Sequence, residues 1–145
     1  MKVFVDANTI VSGLLFVGGE AALLELGRLR ALRLVTNEYV FAEVREVLKR
    51  KEFRLTEEEQ QCLVRYTLGC VSVVENPSRE DIKKHYDLLR DKKDLPVIVG
   101  AKKADCECLV TGDKELLSER IKRFVNSTTT SELLGKLIKE KFLRL

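Results

Sequence analysis

The chain has 145 residues, of which 45% are hydrophobic and 34% are charged, with 8 glycines and 2 prolines. A chain of this length can bury a hydrophobic core without disulfides, and its composition excludes disordered and fibrous proteins. We therefore expect a single domain over residues 1–145. The net charge of +3 is too small to indicate a nucleic-acid-binding protein by itself.

Targeting and redox features give a consistent expectation of location. No segment approaches the run of about 18 apolar residues that a membrane span needs. The apolar segment after Lys2 stops at Asp6, which is too early for a signal peptide. We therefore expect a cytoplasmic protein with no membrane contact. The four cysteines do not have the spacing of zinc ligands, so we expect reduced thiols; they are Cys62, Cys70, Cys106 and Cys108.

The first predicted strand is Val3–Val5, a β-branched apolar run that ends at Asp6 and is typical of a buried strand. A helical stretch follows, with Ala21, Leu24 and Leu32 among its apolar positions. The rest of the chain alternates short strands with amphipathic helices. The other predicted strands are Leu34–Val35, Val71–Val74 (a candidate edge strand), Cys108–Thr111 and Phe124–Val125.

Helix-capping residues separate these strands. The predicted helices begin at Thr36 or Asn37, at a capping box of Thr56 and Glu59 (to about Tyr66), at Asn76–Ser78 (to about Arg90), at Asp94–Pro96, and at a capping box of Thr129 and Glu132. Strands that alternate with helices of this length require crossover connections and a parallel sheet. We predict an α/β fold, a three-layer α/β/α sandwich around a mostly parallel sheet.

Four acidic residues occupy positions from which a common site can be built. Asp6 directly follows the first strand, Asp113 follows the strand that ends at Thr111, and Asp94 begins a helix. Ligand sites in such a sheet lie beyond the carboxyl ends of the strands. Glu43 has helical spacing from Val40 and Val47, so we place it on the apolar stripe of its helix, directed toward the core.

Each acid alone also fits an ordinary role, as a turn residue, a helix cap or an ion-pair partner. Together, carboxylates held close to one another repel, and a divalent cation is the usual reason for such an arrangement. Oxygen-only ligation by Asp and Glu suits Mg²⁺ or Mn²⁺ better than zinc. The single histidine, His85, is expected on or near the surface, and no nucleophile elbow or P-loop is present. A hydrolase built from this chain would need a metal to generate its nucleophile.

Four segments resemble the motifs of the PIN domain family, which includes VapC-like toxin ribonucleases, and together they span nearly the whole chain. They are the strand leading into Asp6-Ala7-Asn8, the helical segment Val40–Val44 around Glu43, Asp94 with the following Val97–Lys102, and the segment Leu109–Leu116, which contains Thr111 and Asp113.

The resemblance implies a metal-dependent endoribonuclease that hydrolyses RNA phosphodiester bonds. It implies that the catalytic residues Asp6, Glu43, Asp94 and Asp113 bind one or two Mg²⁺ or Mn²⁺ ions, which activate a water. It also implies that Asn8 and Thr111 orient the acids by hydrogen bonds. A homodimer and, for a toxin of a toxin–antitoxin pair, an antitoxin protein are the implied partners.

Several assignments stay open at this level. Asp91 is an alternative or additional acid to Asp94. Lys102, Lys103 and Lys114 are either phosphate contacts or part of a solvated face. A PIN-like RNA- or protein-binding module without turnover is the alternative function. A phosphatase of the haloacid-dehalogenase type also has an Asp after its first strand, but it requires a second Asp where this chain has Asn8.

Overall fold

The computed structural model describes residues 1–143, in which strands and helices alternate along the chain. The strands are β1 (Lys2–Val5), β2 (Arg33–Asn37), β3 (Val71–Val74), β4 (Cys108–Val110) and β5 (Ser127–Thr128). The α-helices are α1 (Ala7–Leu15), α2 (Gly19–Arg28), α3 (Glu38–Leu48), α4 (Glu57–Cys70), α5 (Arg79–Lys84), α6 (Leu95–Lys103), α7 (Glu119–Lys122) and α8 (Thr130–Leu143). Short 3-10 turns cover Lys51–Phe53, Tyr86–Leu88 and Lys92–Asp94.

The five strands form one sheet in the order β3-β2-β1-β4-β5, and every pairing is parallel. Helices flank this sheet, which confirms the predicted α/β sandwich. β1 lies at the centre, between β2 and β4. The chain passes from β1 to one side of the sheet and later returns to the other side through β4. Ligand sites form at such a reversal of strand order, beyond the carboxyl ends of the strands.

The packing of the core explains why the sequence of β1 is an unbroken run of apolar residues. Val3, Phe4 and Val5 are fully buried because both faces of the central strand are covered. In the register of the sheet, Val5 lies opposite Val110. The residues that follow these two, Asp6 and Thr111, therefore emerge side by side at the carboxyl edge.

Three predicted elements differ from the structure. The first helical stretch is two helices, α1 and α2, whose axes are bent by 97° at Phe16–Gly18, and Leu32 lies outside both. The helix predicted to reach Arg90 ends at Lys84 and gives way to the 3-10 turn Tyr86–Leu88.

The last strand of the structure begins three residues after the predicted one, Phe124–Val125. Val125 is buried, but it packs at the end of α7, whereas the pairing with β4 is made by Ser127 and Thr128. Apolar character indicates burial, and burial alone does not identify which residues form the ladder.

No single helix in the described part of the chain is long and apolar enough to cross a membrane. α1 and α2 reach the required length only when they are taken together across their bend. The four cysteines are free thiols. Cys70 and Cys108 are buried, Cys106 is half-buried, and Cys62 is exposed.

A buried glycine of α6 sets how closely that helix approaches the start of α3. A Cβ atom added to Gly100 would lie 2.5 Å from the side-chain nitrogen of Asn37. That amide is buried and donates to the carbonyl of Pro96, so it cannot move away freely.

We predict that Gly100→Ala lowers the free energy of unfolding by about 1–3 kcal/mol, as expected when a packed site is overfilled. Gly69 provides a matched control, because it is helical and exposed and a Cβ there meets no atom within 4 Å. Gly69→Ala should stabilise the protein by up to about 1 kcal/mol. Urea unfolding of both variants measures the difference. Equal effects would contradict the close approach at Gly100.

Candidate active site

Asp6 lies at the centre of the carboxyl edge. Its carboxylate accepts hydrogen bonds from the N–H of Ala7 (2.8 Å), where it caps α1, and from the hydroxyl of Thr111 (2.8 Å). Only 6% of the residue is exposed. Burial raises the pKa of Asp6, the two hydrogen bonds oppose this shift, and the charge of Asp113 adds to it. Asp6 is thus a buried acid whose position is fixed by two donors.

Thr111 connects Asp6 to Asp113. Its hydroxyl donates to Asp6 and accepts a hydrogen bond from the N–H of Asp113 (3.1 Å). The oxygen of the Asn8 side chain accepts from the N–H of Gly112 (3.3 Å) and from the hydroxyl of Thr9. Asn8 therefore ties the β4 loop to α1, and its contacts are with this loop instead of with a carboxylate.

Asp94 precedes α6 at the end of the 3-10 turn Lys92–Asp94. It caps no backbone N–H of the helix. Burial raises its pKa to about 6, and the charges of neighbouring acids contribute to the shift. Those neighbours, in decreasing order of effect, are Asp113, Asp6, Asp91 and Glu115. Asp94 therefore lies within the field of the acids that follow β1 and β4.

Glu43 does not occupy the core-facing position predicted for it. The buried residues of α3 are Val40, Val44 and Leu48, and Glu43 is exposed. The helix turns about 100° per residue, so Glu43 lies roughly 60° from Val40 around the axis, at the border of the stripe. Partial burial of its carboxyl and the charge of Asp6 nevertheless raise its pKa, while Arg50 opposes the shift.

We call Asp6, Glu43, Asp94 and Asp113 the acidic cluster. Thr111 links Asp6 to Asp113 directly. The charge of Asp6 reaches Glu43, and the charges of Asp113 and Asp6 reach Asp94. Among residues 1–143, none of the ion pairs formed by Lys or Arg involves a member of the cluster. Asp91 directly precedes the Lys92–Asp94 turn, is exposed, and its charge contributes to the raised pKa of Asp94.

Asn37 joins the start of α3, which carries Glu43, to the start of α6, which Asp94 precedes. The sequence predicts a helix cap at Thr36 or Asn37, and the structure assigns it to Asn37, but the bond to α6 does not follow from the sequence. Its side-chain oxygen accepts from the N–H of Val40 (3.0 Å) and so caps α3. Its side-chain nitrogen donates to the carbonyl of Pro96 (2.9 Å) in the first turn of α6. One buried amide thus joins the starts of both helices.

Tyr39 is a residue that the sequence interpretation missed. Its hydroxyl donates to the carbonyl of Lys93 (2.7 Å), the residue before Asp94. Burial raises the pKa of Tyr39, as do the charges of the surrounding acids, Glu43 first and then Asp94. Its position four residues before Glu43 on one helix is the signal that would have indicated a shared face.

The lysines proposed as phosphate contacts are separated by the structure. Lys102 lies in the last turn of α6, about 12 Å along the helix from Asp94, and donates to the carbonyl of Phe124. Lys103 pairs with Asp81. The structure does not bring these two residues to the acidic cluster. Lys114 follows Asp113 directly and is exposed, so it is the lysine that adjoins the cluster.

The PIN domain family matches residues 2–115 of the sequence, well over half of the chain and a range that includes all four acids. The chain belongs to the PIN domain family. PIN domains are nucleases, which gives the class of activity. No relative among curated proteins matches the sequence.

Two solved structures are similar to this PIN domain in fold. One is the crystal structure of PAE2754 from Pyrobaculum aerophilum, with a TM-score of 0.68, 18% identity, and coverage of 96% of each chain. The other is VapBC2 from Rickettsia felis bound to a DNA fragment from its promoter. It has a TM-score of 0.65 and 16% identity, and the match covers 89% of this chain and 98% of that one. Both likenesses establish the fold.

The donor set of this PIN domain fits a hard divalent cation. All four members of the cluster offer carboxylate oxygens, which Mg²⁺ and Mn²⁺ prefer. No three acidic, His or Cys side chains among residues 1–143 lie close enough together to enclose one ion directly.

The raised pKa of Asp94 makes the stability of the metal-free protein depend on pH. Its folded pKa of about 6 exceeds its ordinary value of 3.8, so folding takes up a proton between these values. The stability of the wild-type protein should therefore fall as pH rises through this interval.

We predict that Asp94→Asn raises the free energy of unfolding in EDTA at about pH 8 by about 1–2 kcal/mol, less than the full shift implies because the carboxyl is only half buried. The difference should narrow at about pH 4.5, where wild-type Asp94 is largely protonated. Urea unfolding at both pH values tests this. A variant less stable than the wild type at the higher pH would contradict the conclusion that ionised Asp94 destabilises the folded protein.

Tyr39→Phe removes the hydroxyl that anchors the turn before Asp94. We predict that the affinity for Mn²⁺ falls by about tenfold, as is typical when a group that orients a metal ligand is lost. Tyr66→Phe is the matched control, since the Tyr66 hydroxyl donates to Glu25 on α2. Calorimetric titration with Mn²⁺ measures both. If the two variants bind Mn²⁺ equally well, Tyr39 has no such role.

Proposed function

We propose that this PIN domain is a Mg²⁺- or Mn²⁺-dependent endoribonuclease. The observation that carries the proposal is the acidic cluster. Burial and the charge of a neighbouring acid raise the pKa of Asp6, Glu43 and Asp94, and no Lys or Arg among the described residues forms an ion pair with a member of the cluster. Such an arrangement costs stability unless a cation compensates it. The absence of a Ser, Cys or His nucleophile system in the sequence favours metal-assisted hydrolysis.

Each member of the cluster has a distinct part in this proposal. Asp6 and Asp94 would hold the ion from the centre of the edge and from α6, with Asp113 and Glu43 on either side. A bound divalent ion lowers the pKa of a water and stabilises negative charge on a phosphodiester. Thr111 fixes the orientation of Asp6 through its hydrogen bond, and Asn8 holds the Gly112 backbone beside it.

The setting of a toxin–antitoxin pair is part of the proposal. One structural neighbour is VapBC2, and we extend the idea of a toxin with a protein antitoxin to this chain. We also propose a cytoplasmic location and a homodimer. Exposed apolar side chains on α4 and α8, such as Leu68 and Ile138, support self-association. Light scattering should give twice the chain mass, and a monomeric mass at tens of micromolar would exclude the dimer.

The activity is tested with Asp94→Asn, the variant expected to fold more stably than the wild type at neutral pH. Cleavage of a labelled RNA with Mn²⁺ should fall by about 100-fold or more, the usual cost of losing one such electrostatic group. Asp105→Asn is the control, because Asp105 is exposed and its φ of 54° also suits Asn. If both variants cleave like the wild type, the acidic cluster is not the active site.

A PIN-like binding module without turnover is the second candidate. It is favoured by the observation that, in the described part of the chain, no three carboxylates converge on one point. Titration with Mn²⁺ separates the two candidates. Binding that requires Asp94 supports the nuclease, and no binding at millimolar Mn²⁺ supports the module.

A further inference from the structure

Two segments that flank the acidic cluster in sequence carry an excess of positive charge. One ends directly before Asp94, and the other follows the loop that contains Asp113. Residues 79–93 and 119–123, which we call the basic flank, carry nine Lys and Arg against five Asp and Glu. This excess is larger than the net charge of the entire chain, +3. Eight of these nine cations are exposed: Arg79, Lys83, Lys84, Arg90, Lys93, Arg120, Lys122 and Arg123.

Contacts between side chains and backbone hold the two segments of the flank together. The guanidinium of Arg120 donates to the carbonyl of Asp87. The rings of His85 and Phe124 stack with their centroids 4.7 Å apart. The residues that follow α5 therefore lie against α7 and its end, although the two segments are distant in sequence.

Two cations of the flank, Lys92 and Arg120, are held by backbone carbonyls. Lys92 donates to the carbonyls of Tyr86 and Leu89, as Arg120 does to that of Asp87. A carbonyl fixes the position of a cation but leaves its full charge uncompensated. Of the ion pairs among residues 1–143, one touches the flank, between Lys103 and Asp81. The flank thus has preorganised positive charge.

The flank also leads to the acidic cluster and includes an exposed aromatic ring. It ends at Lys93, directly before Asp94. Tyr86 is 49% exposed, and the ammonium of Lys92 lies 4.2 Å from its ring centroid. Cations that follow a phosphate backbone, together with aromatic rings on which bases stack, are the combination that binds single-stranded nucleic acid.

We propose that the basic flank binds the phosphodiester backbone of the single-stranded substrate and guides it to the acidic cluster. This inference rests on the proposed nuclease function and adds the place where the substrate is held. The acidic cluster alone repels a polyanion, so a substrate strand needs positive charge beside it. The flank supplies this charge and reaches Asp94 through Lys93.

The test compares two variants that each lose four positive charges. The flank variant is Lys83→Gln, Lys84→Gln, Lys122→Gln and Arg123→Gln, whose side chains are exposed. The matched control is Lys51→Gln, Arg54→Gln, Lys136→Gln and Lys139→Gln, with the same numbers of Lys and Arg replaced on α8 and after α3. Binding of a fluorescent single-stranded RNA of about 20 nucleotides is measured by anisotropy in EDTA, so that cleavage does not interfere.

The flank variant should bind the RNA at least about tenfold more weakly, and the slope of log affinity against log salt should fall by about 2 to 3. The control should stay within about twofold of the wild type. A single-stranded DNA of the same sequence that shows the same pattern supports recognition of the phosphates. Equal losses in both variants, or no loss in either, overturn the proposal. The proposal is also overturned if polyglutamate binding depends on the flank and RNA binding does not. The flank would then bind an acidic protein partner.

These outcomes are separate from those of the proposed activity. Binding that depends on the flank in a protein that cleaves no RNA leaves the inference standing and removes the nuclease proposal. If cleavage requires Asp94 but RNA binding does not depend on the flank, the nuclease proposal stands and this inference is wrong.

Discussion

The hydrogen bond from Thr111 to Asp6 is the contact around which the site is organised, and the register of two parallel strands makes it possible. Because Val5 pairs with Val110, the next residues of β1 and β4 meet at the carboxyl edge of the sheet. A buried carboxylate in this place needs donors, and the Thr111 hydroxyl and the first N–H of α1 supply them. The same hydroxyl also accepts from the backbone of Asp113, so one side chain places two acids.

The acids lower the stability of the folded protein, and hydrogen bonds from neighbouring residues hold them in place. Burial and like charges raise the pKa of Asp94 to about 6, which means that ionising it in the folded protein is unfavourable. Asn37 and Tyr39 hold the two helices and the turn around this charge through hydrogen bonds to Pro96 and Lys93. Preorganisation of this kind fits a site that gives up stability in order to bind a cation and act on a phosphodiester.

Much of this arrangement follows from the sequence, because strand ends and helix starts carry local signals. The apolar run before Asp6 and the helix start at Asp94 identify the sheet edge without any knowledge of packing. The position of Glu43 is harder to predict from the sequence. At the border of the apolar stripe, a rotation of only about 60° around the helix axis separates a buried residue from an exposed one. Tyr39 and Asn37 act through carbonyls that are distant in sequence, and no local pattern reveals such contacts.

The central claim is that the acidic cluster binds a divalent cation at the carboxyl edge of the sheet. Crystals soaked in Mn²⁺ test it directly, because anomalous scattering locates the ion without reference to activity. We predict an anomalous peak within coordination distance of a carboxylate oxygen of Asp6 or Asp94, with waters completing the coordination shell of the ion. A well-ordered edge with no peak there, or a peak only elsewhere on the surface, would contradict it.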